Sequence, residues 1–274
     1  MLRTVIVGGI RYFTSSAAST MSCQRLKGKV AVVTASTDGI GFSVARRLAQ
    51  EGAKVMISSR KEVNVKKAVD QLVSEGLSVS GIVCHVGKSD DRRQLLNETK
   101  SKYGGLDILV SNAAVNPVVS PIFDCAEEVW DKIMDINVKS TFLLMKEFLP
   151  LLRESKTPSI VIMSSVAAYD PFNLLGVYSI SKTALVALCK ASSEELATDG
   201  IRVNCIAPGI IRTKFSKPLY ESEAANEIAM SRIAMQRIGL PEEISGIAAF
   251  LASDDSSYIT GETIVASGGM SSRL

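Results

Sequence analysis

The chain has 274 residues, 46% of them apolar, enough for one large α/β domain or two small ones with a substantial core. Its 31 basic and 28 acidic residues leave a formal net charge of +3, too small for a nucleic-acid binder, and no dense Lys/Arg run with interleaved aromatics occurs. Five scattered cysteines (Cys23, Cys84, Cys125, Cys189, Cys205) without CxxC spacing and a lone His85 argue against a metal site, and no apolar run approaches the ~18 residues of a membrane span, so a soluble protein with no membrane partner is expected.

Residues 1–29 carry Arg3, Arg11, Arg25, Lys27 and Lys29 but no carboxylate, the first being Asp38. That composition fits a mitochondrial transit segment or a disordered tail, and Met21 is an alternative start that would remove it. Residues 1–25 are therefore read as a tail, and 26–274 as one domain. Val30 to Thr34 reads as a strand apolar on both faces, as parallel strands covered by helices are. A Gly-containing turn follows, then a helix with Ile40, Val44 and Leu48 on one stripe, ended by Gly52. The unit repeats with strands at 54–59, 78–84 and 107–112 and helices at 63–75 and 90–103. One long helix is expected over 127–154, a strand at 159–164, a helix from Tyr178 to about Asp199 and a strand at 201–207. An irregular section over 211–237 precedes a helix at 241–252 and a strand at 262–266. Strands alternating with three-turn helices pair in parallel through right-handed crossovers, which predicts a single-domain, doubly wound, mostly parallel seven-stranded sheet with helices on both faces.

Three stretches carry chemistry. The turn Thr34-Ala35-Ser36-Thr37-Asp38-Gly39-Ile40-Gly41 opens directly into a helix, whose free N–H groups suit a diphosphate; alone, a Gly-x-Gly is as readily a structural turn. Ser58-Ser59-Arg60-Lys61 ends the second strand, where an acidic residue would bind ribose hydroxyls and Ser and Arg accept a 2′-phosphate; this favours NADP(H), against a merely solvated Arg60. Tyr178 and Lys182 stand four residues apart on one helix face, where an ammonium would draw the phenol toward neutrality as a proton donor. Six tyrosines and 31 basic residues produce about 0.7 such pairs by chance. Ser111 to Ala114, Asn137 and Ser164-Ser165 lie near the same carboxyl edge of the sheet, where ligands of open α/β sheets bind.

In these stretches, from residue 26 to the end, the chain resembles the short-chain dehydrogenase/reductase family. Thr34 to Gly41 matches its Thr-Gly-x-x-x-Gly-x-Gly loop, Ser111 to Ala114 its Asn-Asn-Ala-Gly, and Pro208-Gly209 before Thr213 its Pro-Gly segment. Asn137, Ser165 and Tyr178-x-x-x-Lys182 match its catalytic tetrad, with Ser165 preferred to Ser164 because 178 − 165 = 13 is the family's usual separation. The resemblance implies carbonyl reduction, with Tyr178 giving the proton, Ser165 holding the carbonyl oxygen, Lys182 lowering the Tyr178 pKa and holding the nicotinamide ribose, and Asn137 anchoring a water. It implies cofactor contacts at Thr34, Ser36, Thr37, Asp38, Gly39, Ile40, Gly41, Ser59, Arg60, Lys61, Val86, Asn112, Ala113, Tyr178, Lys182, Ile211 and Thr213, and substrate contacts at Ser165, Phe172 and Tyr178.

The wording Ser58-Ser59-Arg60-Lys61, Cys84-His85-Val86-Gly87-Lys88, Ser111-Asn112-Ala113-Ala114-Val115-Asn116-Pro117 and Tyr258-Ile259-Thr260-Gly261-Glu262-Thr263 is similar to one branch, the peroxisomal NADPH-dependent carbonyl and retinal reductases. It implies a homotetramer acting on aromatic ketones, α-dicarbonyls and retinal. Ser272-Arg273-Leu274 then fits the C-terminal address read by the peroxisomal import receptor, with the mitochondrion as alternative. Ala35 replaces the family's first loop glycine, so a negative φ is expected there, and His85 stands where an acidic residue commonly holds adenine, so backbone contact near Val86 is expected. Substrate selection is placed in Val166–Leu175 and in a lid over 211–237, with Phe172, Leu174, Leu175, Phe215, Leu219 and Tyr220 as an apolar wall and Met230 and Met235 adaptable. Two rivals stay open: an acyl-CoA-directed reductase using Arg212, Lys214 and Lys217 for CoA phosphates, and a non-catalytic NADP(H)-binding scaffold.

Overall fold

The computed structural model of the protein describes residues 24–272. Its strands are β1 (Val30–Val33), β2 (Lys54–Ser59), β3 (Val79–Val83), β4 (Ile108–Ser111), β5 (Ser159–Met163), β6 (Arg202–Pro208) and β7 (Thr263–Ala266). Its helices are α1 (Gly39–Gln50), α2 (Glu62–Ser74), α3 (Ser89–Tyr103), α4 (Glu127–Met134), α5 (Ser140–Arg153), α6 (Gly176–Leu196), α7 (Glu223–Arg232) and α8 (Pro241–Ala252). The seven strands form one sheet in the order β3-β2-β1-β4-β5-β6-β7, each pairing parallel. The order reverses direction between β1 and β4, and at that switch point a crevice opens beyond the carboxyl ends of the strands.

The period of two sorts each strand into two cores. Ala31 and Val33, Ile108 and Val110, and Val161 and Met163 face α1 and α8, where Val44, Leu48, Ile244 and Ala248 meet them. Val30 and Val32, Leu109, and Ile160 and Ile162 face α3, α5 and α6 through Leu95, Leu144, Phe148 and Leu185. Each fully buried Leu or Phe stabilises the fold by about 1.5–3 kcal/mol, so the strands cannot slip by one residue without exposing both layers. The backbone at the carboxyl edge is thereby fixed in register.

Three expectations are corrected and one is qualified. The helix expected over 127–154 forms from Glu127 to Arg153, with a π-helical turn at Asp135–Lys139 that carries Asn137. The section expected to be irregular over 211–237 contains α7, whose Ser222 hydroxyl accepts the Ala225 N–H at 3.2 Å as an N-cap. The domain also begins earlier than residue 26, because Arg25 pairs with Glu51 and with Asp255, each at 2.8 Å. Burial would raise the Glu51 carboxyl, but hydrogen bonds from Arg25 and Arg47 hold it below its ordinary range. The fourth concerns Ala35, whose φ is +49°, in the left-handed region rather than at the expected negative value. The tail at residues 1–23, and Arg273 and Leu274 of the C-terminal address, lie outside the described residues.

Candidate active site

The loop between β1 and α1 is held from three sides. Thr34 Oγ1 accepts the N–H groups of Asn112 (3.0 Å) and Ala113 (3.3 Å), while Asn112 Nδ2 donates to the carbonyls of Thr34 (3.0 Å) and Ala35 (3.1 Å). Asp38 caps α1 by accepting the Gly39 N–H at 2.8 Å. Gly41 admits no side chain: a Cβ there would lie 2.4 Å from Asn112 Nδ2 and 2.5 Å from the Ala35 carbonyl oxygen. The glycine is required where the loop and the β4 segment approach each other.

Ser36 is corrected. Its side chain is fully buried, donating to the Val33 carbonyl at 2.6 Å and accepting the Ser58 N–H at 3.1 Å, so the hydroxyl ties β1 to β2 and is not offered to a cofactor.

Two chambers lie along this edge, and Ala35, Asp38 and Ala114 line both. The first, about 640 Å³, is bounded by Thr37, Ser59, Arg60, His85, Val86 and Ala113. Lys61 starts α2 just outside its lining. The His85–Gly87 loop is fixed by α3: Asp91 accepts the His85 N–H at 2.8 Å, and Arg92 donates to the Val86 carbonyl at 2.7 Å while pairing with Glu147 at 2.8 Å. Arg92 is 3% exposed, and sequence reasoning missed it, because nothing local marks an arginine that turns inward to hold a backbone carbonyl.

The second chamber, about 370 Å³, brings together Gly39, Ile40, Gly41, Asn112, Ser165, Phe172, Tyr178, Lys182, Ile211 and Thr213 from the expected set. Of the proposed apolar wall, Phe172, Leu175, Phe215 and Leu219 line it, and Phe215 stacks tilted on Tyr178 with ring centroids 5.8 Å apart. Leu174 and Met235 instead face solvent, and Tyr220 and Met230 pack against the small core under α7. Val119 and Met163 were missed as lining residues; both lie where strand-end loops converge, which no sequence period reports.

Ser165 hydrogen-bonds the Tyr178 phenol, whereas Ser164 is buried and spends its hydroxyl on the Lys182 carbonyl at 2.8 Å. Lys182 is 2% exposed; its Nζ donates to the Met163 carbonyl at 2.8 Å and lies 5.5 Å from the Tyr178 ring centroid. Desolvation pushes the Tyr178 phenol up to about 12 against the Ser165 hydrogen bond, and pushes the Lys182 ammonium down to about 8. Tyr178 is only partly buried where it lines the chamber, and the partner that lowers its phenol here is Ser165, while the Lys182 ammonium is turned to Met163 O.

Asn137 is fully buried, with Nδ2 donating to Val115 O and Ser181 Oγ (both 3.0 Å) and Oδ1 accepting the Val115 N–H at 2.8 Å. Its side chain thus clamps the β4 loop to α6. Ser181 Oγ donates in turn to the Tyr178 carbonyl at 2.6 Å, joining the clamp to the tyrosine's own turn.

A protein-family model described as "Enoyl-(Acyl carrier protein) reductase" matches residues 34–271. The chain is similar to "Dehydrogenase/reductase SDR family member 4" of Oryctolagus cuniculus, 56% identical over 91% of this chain and 96% of that protein. It is similar also to the Homo sapiens protein of that name, at 53% over 91% and 90%, and to human "Dehydrogenase/reductase SDR family member 2, mitochondrial", at 50% over 91% and 88%. Among solved structures, a Serratia marcescens short-chain dehydrogenase/reductase mutant aligns with TM-score 0.84 at 31% identity, covering 89% of this chain and 98% of that one. One from Mycobacterium ulcerans aligns with TM-score 0.85 at 28% identity, covering 89% and 90%.

Proposed function

Because the chain belongs to the short-chain dehydrogenase/reductase family, we propose that this oxidoreductase is an NADPH-dependent carbonyl reductase that converts ketones, aldehydes and dicarbonyls, retinal among them, to alcohols. The observation that carries this reading is the convergence of Ser165, Tyr178 and Lys182 on an apolar chamber that opens beside the glycine loop.

The residues fit a nicotinamide dinucleotide. The side-chain-free cradle at Gly41 and the capped N-terminus of α1 suit a diphosphate, and Val86 and Ala113 line the chamber where an adenosine would lie. NADP(H) is preferred because Ser59 and Arg60 end β2 without an acidic residue, and Arg60 lines that same chamber. When bound, the reduced nicotinamide supplies hydride for the carbonyl carbon.

The protein's part is proton delivery and orientation. With its pKa near 12, Tyr178 stays protonated through the neutral range, the form in which its Oη can give a proton to the developing alkoxide. Ser165 donates a hydrogen bond to the same oxygen where negative charge grows. Lys182, held against Met163 O, sits beneath the tyrosine ring to hold the nicotinamide ribose and to replace the proton Tyr178 has given. Asn137, its side-chain amide spent on Val115 and Ser181, holds the β4 loop and α6 together around this relay. Phe172, Leu175 and Phe215 exclude solvent and receive the apolar part of the substrate.

The assembly is proposed as a homotetramer. Ser272-Arg273-Leu274 supports peroxisomal delivery by the import receptor. The acid-free N-terminal segment and the mitochondrial relative support the mitochondrion as alternative. The acyl-CoA reading is weaker, since Lys214 pairs with Asp38 at 2.6 Å and Lys217 with Glu221 at 2.7 Å.

Replacing Tyr178 by Phe removes the acid and leaves the cleft shape. Loss of a general acid lowers kcat by about 10²–10⁴-fold, while the NADPH dissociation constant stays within about threefold. NADPH absorbance on a panel of diketones, retinal and acyl-CoA esters reads the first, and fluorescence titration the second. Turnover that survives in Tyr178→Phe would remove Tyr178 from the mechanism, and wild-type turnover on acyl-CoA esters alone would favour the rival.

A further inference from the structure

The substrate chamber is walled on one side by Phe172, and that ring is held from outside the chamber. Arg232, in the last turn of α7, lays its guanidinium over the Phe172 ring at 4.3 Å from the centroid. The same guanidinium pairs with Asp170, two residues before the ring. Ala229, one turn earlier on α7, and Ile233, just beyond its end, are buried with Val166 and Ile210, and Phe172 packs against that cluster. Phe172 is therefore bounded by the small core on one side, the guanidinium on a face, and the chamber on the rest.

Together with the packing of Val166 against Ala229 and Ile233, the arrangement joins the loop after β5, which carries Ser165 at its start, to the lid helix α7. An arginine suits the position because its planar, permanently charged head can stack on a ring and bind a carboxylate at once, which an ammonium cannot. Arg232 and Asp170 are only 29% and 38% exposed at their side chains, so the pair is partly shielded from solvent.

We propose that Arg232 is a positioning residue that determines substrate selectivity: by clasping Asp170 and stacking on Phe172 it fixes the aromatic wall against which bulky, planar carbonyl substrates lie. This rests on the carbonyl-reductase reading for its substrate class. Arg232 touches neither the carbonyl nor the cofactor cleft, so its removal changes binding of substrates large enough to reach the ring and leaves the proton relay as it is.

The test compares wild type with Arg232→Met, Arg232→Lys, Phe172→Ala and the double variant Phe172→Ala/Arg232→Met, using NADPH with a compact aliphatic α-diketone and with a bulky aryl ketone. In Arg232→Met the KM for the aryl ketone rises about tenfold with kcat within about twofold, and the constants for the diketone hold. Arg232→Lys, which keeps charge without a planar stack, recovers only part of the loss. In the Phe172→Ala background Arg232→Met adds nothing further, because it acts through that ring. An equal fall of kcat on both ketones, or additive effects in the double variant, overturns the proposal. Hydrogen exchange over residues 166–175 gives a readout independent of turnover: it quickens in Arg232→Met, and unchanged exchange overturns the clasp. Wild-type protein that reduces neither ketone would instead sink the carbonyl-reductase reading, with the exchange comparison still deciding the clasp.

Discussion

Ala35→Gly is a substitution whose effect follows from a single backbone angle. At φ +49° an L-residue with a Cβ is strained, by roughly 1–2 kcal/mol relative to its relaxed conformation. The methyl lines the cleft rather than either core and is exposed, so its loss forfeits little burial. Glycine removes the strain but adds freedom to the unfolded chain, which offsets about 0.4–1 kcal/mol. The net is a stabilisation of about 0.5–1 kcal/mol, a rise in Tm of about 1–2 °C for a domain of this size. The hydrogen bond that Ala35 O accepts from Asn112 is a backbone feature that glycine keeps. NADPH affinity should therefore stay within about threefold. Differential scanning calorimetry and fluorescence titration of wild type and variant measure both quantities. A Tm that falls, or an affinity that drops tenfold, would show that the methyl makes contacts worth more than the strain, and the argument from φ would be wrong.

Gly41→Ala should act in the opposite sense, because its Cβ would displace Asn112 and break the bonds at 3.0 and 3.1 Å; about 3–5 kcal/mol of stability is lost, read by urea melts, with Gly246→Ala on open helix α8 as a neutral or stabilising control. Arg60→Ala should weaken NADPH about 10–100-fold and leave NADH within twofold, measured by titration; equal losses for both would assign Arg60 to the fold rather than to the 2′-phosphate. Lys182, depressed from its ordinary 10.5 to about 8, destabilises the folded state where it must be charged, so its contribution is recovered as pH rises from 8 to 10.5 and lost as pH falls through 8. The buried thiols Cys84, Cys189 and Cys205 and the Tyr178 phenol are raised instead and pull stability down above about pH 9. The informative quantity is consequently the difference in unfolding free energy between wild type and Lys182→Met: it should move in favour of wild type by on the order of 3 kcal/mol across pH 8–10.5, and a flat difference would refute the burial argument.

Much of this protein was determined by features that neighbouring residues carry. The unbroken apolar run at Val30–Val33 specified a strand buried on both faces, and the alternation of such strands with helical stripes specified a parallel sheet with its ligand edge at the carboxyl ends. The four-residue spacing put Tyr178 and Lys182 on one face of α6, and Ser59-Arg60 fell at the end of β2. Even α7 was legible in principle, since Ser222 precedes a run of good helix formers; its weak apolar stripe hid it.

Other features required the tertiary structure because they depend on groups far apart in sequence. Asn112 reaches 78 positions back to Thr34, and Arg92 reaches 55 positions to Glu147 while holding Val86. Ser36, which the loop pattern offered to a cofactor, is turned into the sheet by a hydrogen bond from Ser58, 22 positions away. The π-turn at Asn137 and the positive φ at Ala35 are not written in the local pattern, and the raised phenol and lowered ammonium at Tyr178 and Lys182 follow from desolvation. Periodicity reports what the backbone does with adjacent residues; desolvation and hydrogen-bond choice are fixed only when distant segments close over the same point.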